Sequence, residues 1–203
     1  MFQNRFFLNS YCYSSLSHYF VTNPKYGSVH FLSAQSGLCR HRRKGDVITA
    51  NGTGPFGFIR GLVGTDIIFG SSANDRIDGG TTGDIIWRVN GDDVLIAAPI
   101  NVTQTPNEAH IIDGGNGNDT IVGGIGPDNL TGGPDSDLIV GGFSSDTIHG
   151  GLGADVIYGH TDNDRDFAKD NIDCGSNSDH AYIRSSDGDT AKSNCENVID
   201  YDG

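Results

Sequence analysis

The chain has 203 residues, with 26 Asp+Glu against 13 Lys+Arg and a formal net charge of -13, a balance that argues against nucleic acid as the main partner. The length suits one ordinary domain. No stretch is long and apolar enough to span a membrane, and the 30 glycines follow no collagen triplet.

Residues 1–45 differ from the rest. They hold Arg5, Lys25, Arg40, Arg42, Arg43 and Lys44 and no acidic residue. Asn9, Ser10, Ser14, Ser15, Ser17 and His18 interrupt the apolar run that a signal peptide needs. A poorly ordered basic leader is expected, whether an atypical export signal or a misassigned start. A first strand is expected at Val47 and Ile48, after Asp46. Residues 46–96 then carry a degenerate nine-residue pattern with Asp66, Asp75, Asp84 and Asp93 in step, and Ile68, Ile77, Ile86 and Leu95 two positions after each.

Residues 97–109 break this pattern, and a loop insertion is expected there. It contains the sequon Asn101-Val102-Thr103. His110 takes the place of an Asp, seventeen residues after Asp93 where eighteen are expected, and Ile112 restores the apolar position. From 110 to 166 the repeat is regular: GGNGNDTIV, GGIGPDNLT, GGPDSDLIV, GGFSSDTIH, GGLGADVIY and GHTDND. Asp119, Asp128, Asp137, Asp146, Asp155 and Asp164 recur at intervals of nine. Ile121, Leu130, Ile139, Ile148 and Ile157 follow the first five by two.

A fixed short period of this kind means stacked coils rather than a globule. Each unit is half a coil, a glycine-rich turn followed by a short strand with its aliphatic residue inward. Turns on one edge therefore recur every eighteen residues. That pairs Asp119 with Asp137 and Asp155 on one edge, and Asp128 with Asp146 and Asp164 on the other. Upstream it pairs Asp66 with Asp84 and Asp75 with Asp93. Stacked strands lie about 4.8 Å apart, and two carboxylates at about 5 Å repel by roughly 3 kcal/mol at an effective dielectric near 20. A divalent cation between them reverses that sign.

The pattern G-G-x-G-x-D-x-U-x resembles the RTX, or haemolysin-type, calcium-binding repeat. The resemblance implies an all-β fold, a parallel β-roll or β-solenoid built from nonapeptide half-coils. It implies several Ca2+ ions, each shared by two stacked turns. The expected ligands are Asp66, Asp75, Asp84 and Asp93 upstream. Downstream they are Gly115, Gly117, Asp119, Gly124, Gly126, Asp128, Gly133, Asp135, Asp137, Gly142, Asp146, Gly151, Gly153, Asp155 and Asp164. The glycines contribute backbone carbonyls, which suit a hard cation that takes six to eight oxygens.

After Asp164 the register slips, and Asp170 takes the next turn position. Residues 167–203 are expected to form a C-terminal cap, which an exposed last coil requires. Cys174 and Cys195 flank an acidic segment and are expected as a disulfide or as two buried thiols. Cys12 and Cys39 lie in the leader, and no C-x-x-C is present.

The sequence contains no H-E-x-x-H, G-x-S-x-G or G-x-x-x-x-G-K-[ST], so no catalytic module is expected. His149 and His160 follow strand positions and are expected at the surface. The resulting expectation is a secreted, extracellular calcium-binding solenoid that folds on calcium binding, with a structural, surface or adhesive role. The resemblance also implies an alternative, a calcium-dependent polysaccharide-binding module of the kind attached to alginate-epimerase-like enzymes. Its partner would be an extracellular glycan or cell-surface component, and Phe69, Trp87, Phe143 and Tyr158 are scattered outward aromatics.

Overall fold

A computed structural model describes residues 45–50, 58–87, 90–98, 108–160 and 168–202. For Asn51 and the strands Tyr11–Cys12, Tyr19–Asn23, Gly27–Ser33 and Leu38–Arg40, the backbone alone is described. Among the described residues, successive strands from Gly27–Ser33 onward alternate between two ten-stranded sheets. Thr120–Gly124, Leu138–Gly142 and Val156–Tyr158 neighbour one another in the first sheet. Ile111–Asp113, Asn129–Gly133 and Thr147–Leu152 do so in the second. All of these pairings are parallel, so the chain winds as a two-sheet β-solenoid. This is the all-β parallel roll that the period of nine dictates.

Register follows the repeat. Ile121 faces Ile139, and Ile139 faces Ile157, each eighteen residues on. Because strand side chains alternate between faces, the central residue of each three-residue strand core points inward. Ile59, Ile77, Leu95, Ile121, Ile139 and Ile157 form one fully buried column. Ile48, Ile68, Ile86, Ile112, Leu130, Ile148 and Ile172 form the other. Burying one such side chain contributes about 1.5–3 kcal/mol.

The insertion lies inside one half-coil. Ile86 faces Ile112 and Leu95 faces Ile121, twenty-six residues apart on both sheets. Asp93 and His110 therefore precede strands of opposite sheets, and the expected eighteen-residue equivalence between them is corrected. A half-coil advances nine residues, and these positions are seventeen apart. The sequon at Asn101 lies outside the described residues.

The strands Gly27–Ser33 and Leu38–Arg40 pair in parallel with Val47–Asn51 and Phe58–Val63. Both sheets thus reach back into the stretch expected as a leader ending at residue 45. Tyr19–Asn23 and Tyr11–Cys12 add antiparallel to them. Aromatic and β-branched residues favour strands without any nonapeptide signal, so the repeat was no guide to this region. At the other end, the strands His180–Ile183 and Asn197–Asp200 close the first sheet and Thr190–Ala191 closes the second. The disulfide Cys174–Cys195 ties this segment together, with Cα atoms 5.1 Å apart.

Candidate metal centre

Each repeat Asp stands at the end of its turn, immediately before a strand. Its backbone C=O accepts from the following coil, as Leu138 N–H donates to Asp119 O and Val156 N–H to Asp137 O, both at 2.8 Å. Its backbone N–H donates to Oδ1 of the next Asp on the same edge. On one edge this runs Asp75 to Asp93, Asp93 to Asp119, Asp119 to Asp137, Asp137 to Asp155 and Asp155 to Asp179, at 2.6–2.9 Å. On the other it runs Asp46 to Asp66, Asp66 to Asp84, His110 to Asp128, Asp128 to Asp146, Asp146 to Asp170 and Asp170 to Asp189, at 2.7–2.9 Å. The expected pairs 66/84, 75/93, 119/137/155 and 128/146 are therefore neighbours.

The continuation from Asp146 is a correction. Asp164 was expected there, but Asp170 accepts the Asp146 N–H, twenty-four residues on. The half-coil after Tyr158 is longer than nine residues, so the rung moves to the Asp that precedes the next strand. Asp162, Asp164 and Asp166 lie outside the described residues.

These aspartates are buried, from Asp155 at 0 % exposure to Asp189 at 7 %. In most of them one carboxylate oxygen is satisfied and the other is enclosed by protein, whereas Asp75 Oδ2 accepts from the Ser71 N–H and hydroxyl and Asp189 Oδ2 from the Arg184 N–H. Oδ2 of Asp66, Asp84, Asp93, Asp119, Asp128, Asp137, Asp155 and Asp179 is buried without a hydrogen-bond partner. Burial raises the pKa of Asp66, Asp84 and Asp137 to about 7, of Asp93 to about 8, and of Asp119 and Asp155 to about 6. In each the hydrogen bond from the preceding backbone N–H opposes this, and the charges of neighbouring aspartates add to it.

The glycines explain where the second oxygen fits. A Cβ on Gly114, Gly123 or Gly150 would sit 2.5 Å from Oδ2 of Asp119, Asp128 or Asp155. The first residue of the repeat must therefore lack a side chain. At the second residue, Gly133 has φ +130°, and a Cβ there would run into the Gly115 carbonyl one coil away. Gly115, Gly124, Gly142 and Gly151 share this conformation, as do Gly117 and Gly153 at the fourth residue. A Cβ on Gly126 would meet the Glu108 carbonyl. Asp135 occupies the same fourth position at φ +78°. Its exposed side chain accepts the Gly117 N–H through Oδ2 at 3.2 Å, outside the buried ladder.

This arrangement passes the test for a hard divalent cation. The unsatisfied donors are oxygen, they are anionic, and they sit in glycine-lined turns beside backbone carbonyls such as that of Gly132, which a Cβ on Gly114 would approach to 2.7 Å. A family model for the RTX calcium-binding nonapeptide repeat matches residues 59–96, 113–143 and 131–166, with 4 copies. These residues carry the RTX calcium-binding nonapeptide repeat. RTX repeats bind several calcium ions per array. No curated protein matches the chain. Among the described residues, no helix is long and apolar enough to cross a membrane.

Three features of the RTX array go beyond what the sequence pattern shows. His110 replaces an Asp and is buried, its Nδ1 2.9 Å from Asp128 Oδ1. Since a carboxylate only accepts, Nδ1 donates. Burial works against the His110 charge, but the Asp128 hydrogen bond and the charges of Asp128 and Asp84 raise its pKa overall. Second, an exposed ladder at the fifth repeat position runs the other way: Asp92 N–H donates to Asn74, Asn118 N–H to Asp92, Ser136 N–H to Asn118 and Ala154 N–H to Ser136. Third, His160, expected at the surface, is buried, while His149 is partly exposed. His160 occupies the second position of its repeat, where the regular units carry glycine against the neighbouring coil, and so its ring is covered.

Proposed function

We propose that the chain is a secreted calcium-dependent solenoid that folds as calcium binds and serves a structural, surface or adhesive role. Asp66, Asp75, Asp84, Asp93, Asp119, Asp128, Asp137, Asp146 and Asp155 supply the carboxylates. The turns containing Gly115, Gly117, Gly124, Gly126, Gly133, Gly142, Gly151 and Gly153 supply carbonyls, and each ion is shared by two turns of one edge. The observation that carries this reading is the row of buried carboxylate oxygens with no protein partner. An unpaired buried charge is expensive, and only a bound cation or a proton relieves it. Calcium that binds the folded chain alone adds about 2.7 kcal/mol per site at a hundredfold excess over its dissociation constant. Extracellular calcium modules bind at about 10⁻⁴–10⁻³ M, so the chain would fold after export. Circular dichroism tests this: strand content should appear on calcium addition, and equal strand content in chelator at pH 7.5 would overturn it.

A second reading is a calcium-dependent polysaccharide-binding accessory module of the alginate-epimerase type. It is favoured by one observation. Tyr158 and Tyr182 stack on the outer face of the first sheet with ring centroids 4.4 Å apart, and Tyr201 stacks on Tyr182 at 5.8 Å. Phe69 and Trp87 make a second, edge-on pair on the other sheet. A glycan array probed in calcium decides it, since no retained sugar would discard this reading.

A further inference from the structure

The C-terminal end of the ladder departs from the oxygen-only chemistry of the repeats. His160, Asp170 and Asp189 are all buried, and one ligand atom from each lies within 4.8 Å of the other two. His160 is 4 % exposed, and neither ring nitrogen has a hydrogen-bond partner. Its Nδ1 is 3.6 Å from Asp189 Oδ2, too far for a hydrogen bond. A buried imidazole normally satisfies at least one nitrogen. Here it faces two carboxylates and bonds to neither.

Both carboxylates are held in place by backbone. Asp170 Oδ1 accepts the Asp146 N–H at 2.8 Å. Asp189 Oδ1 accepts the Asp170 N–H at 2.9 Å, and its Oδ2 accepts the Arg184 N–H at 2.8 Å. The Tyr201 ring stands edge-on to the imidazole at 5.8 Å. Such partners orient ligands before a metal arrives.

We propose that His160, Asp170 and Asp189 form a site for a zinc-class divalent ion, separate in chemistry from the calcium sites of the repeats. Calcium takes oxygen ligands, whereas imidazole suits zinc and its transition-metal neighbours. Zinc binds nitrogen and carboxylate oxygen at about 2.0–2.2 Å, with three protein ligands and water as a common set. A tetrahedral ion at those lengths needs ligand atoms about 3.4 Å apart, close to the 3.6 Å between Nδ1 and Oδ2. The ion would pin the entry of the last long half-coil, at His160, to two turns of the cap.

The test uses the full chain in excess calcium. Zinc is titrated calorimetrically, and cobalt(II) is added as a spectroscopic probe. One zinc per chain that excess calcium does not displace, with a tetrahedral cobalt band, is the expected result. His160→Gln should weaken zinc by tenfold or more while strand content in calcium stays intact. Nitrogen-15 histidine NMR of the unaltered chain gives a readout that does not depend on a folded variant: one imidazole should shift with the first zinc equivalent. No zinc uptake, displacement by calcium, equal zinc affinity in His160→Gln, or no histidine shift would each overturn the assignment.

Discussion

Asp137 Oδ1 accepts the backbone N–H of Asp119 at 2.8 Å across one full coil, while Asp137 Oδ2 is buried with no partner. The same carboxylate thus closes the backbone of the neighbouring turn and leaves half its charge for a cation. Stability in calcium and stability without it should therefore respond oppositely to removal of that charge.

Asp137→Asn keeps an oxygen that can accept the Asp119 N–H but removes the anion. In saturating calcium the variant should lose about 2–3 kcal/mol, one site's share of linkage. In chelator it should gain stability, because a buried unpaired charge is gone. Urea unfolding in both conditions checks the sign change. A loss of equal size in both would show that Asp137 acts only through its hydrogen bond.

Acid should substitute for calcium. The folded-state pKa values of about 6 for Asp119 and Asp155, about 7 for Asp66, Asp84 and Asp137 and about 8 for Asp93 lie above the ordinary carboxylate value. The folded chain therefore holds protons that the unfolded chain releases. This contribution is fully present below about pH 4 and is lost as pH rises through 6–8. In chelator, strand content should be higher at pH 4.5 than at pH 8. Calcium affinity should weaken as pH falls through the same window, because protons compete for the same oxygens. Circular dichroism and calcium titration against pH measure both.

His110 occupies a rung held elsewhere by Asp, bonded to Asp128. His110→Asp should raise the bound calcium by about one ion per chain, since it adds an oxygen ligand of the right charge. It should also lower stability in chelator at pH 7, where the new carboxylate adds to the repulsion. Atomic-absorption counting of calcium and chelator-dependent melting are the readouts.

Cys174 and Cys195 close a loop with a sequence separation of 21. Cys174→Ser with Cys195→Ser should cost about 3 kcal/mol by the loop-entropy relation. Hydrogen exchange should quicken from Asn171–Ser176 onward and stay slow at Thr120–Gly124.

The periodic part of the fold was open to reading because one residue interval fixes coil length, edge and inward face together. Ile121, Ile139 and Ile157 stack where the spacing put them. The site was open to reading for the same reason wherever the interval held. It failed where a half-coil lengthens. Asp170 replaces Asp164 after Asp146 because the strand that follows, not the count of nine, decides which Asp becomes a rung. His110 is visible as a missing Asp, but its bond to Asp128 depends on coil stacking. His160 stands at a repeat position that elsewhere holds glycine, but the residues that cover its ring, Asp189 and Tyr201, belong to the cap and follow no period. The upstream strands carry no glycine-aspartate signature, so nothing in the repeat pointed to them.

A stack of interchangeable rungs has no natural zero: sliding by one whole winding would place isoleucine on isoleucine and aspartate on aspartate at almost no loss. The oversized windings break that translational degeneracy. Asp84 and His110 are stacked through a winding of twenty-six residues, Ile111 N–H meeting Asp84 O at 2.9 Å, and Asp146 and Asp170 through one of twenty-four. A slipped chain would have to accommodate those extra residues in the wrong place. The irregular windings thus act as a key that sets the phase of the whole assembly, and trimming them to the common length should yield a protein that folds readily but into several offset forms.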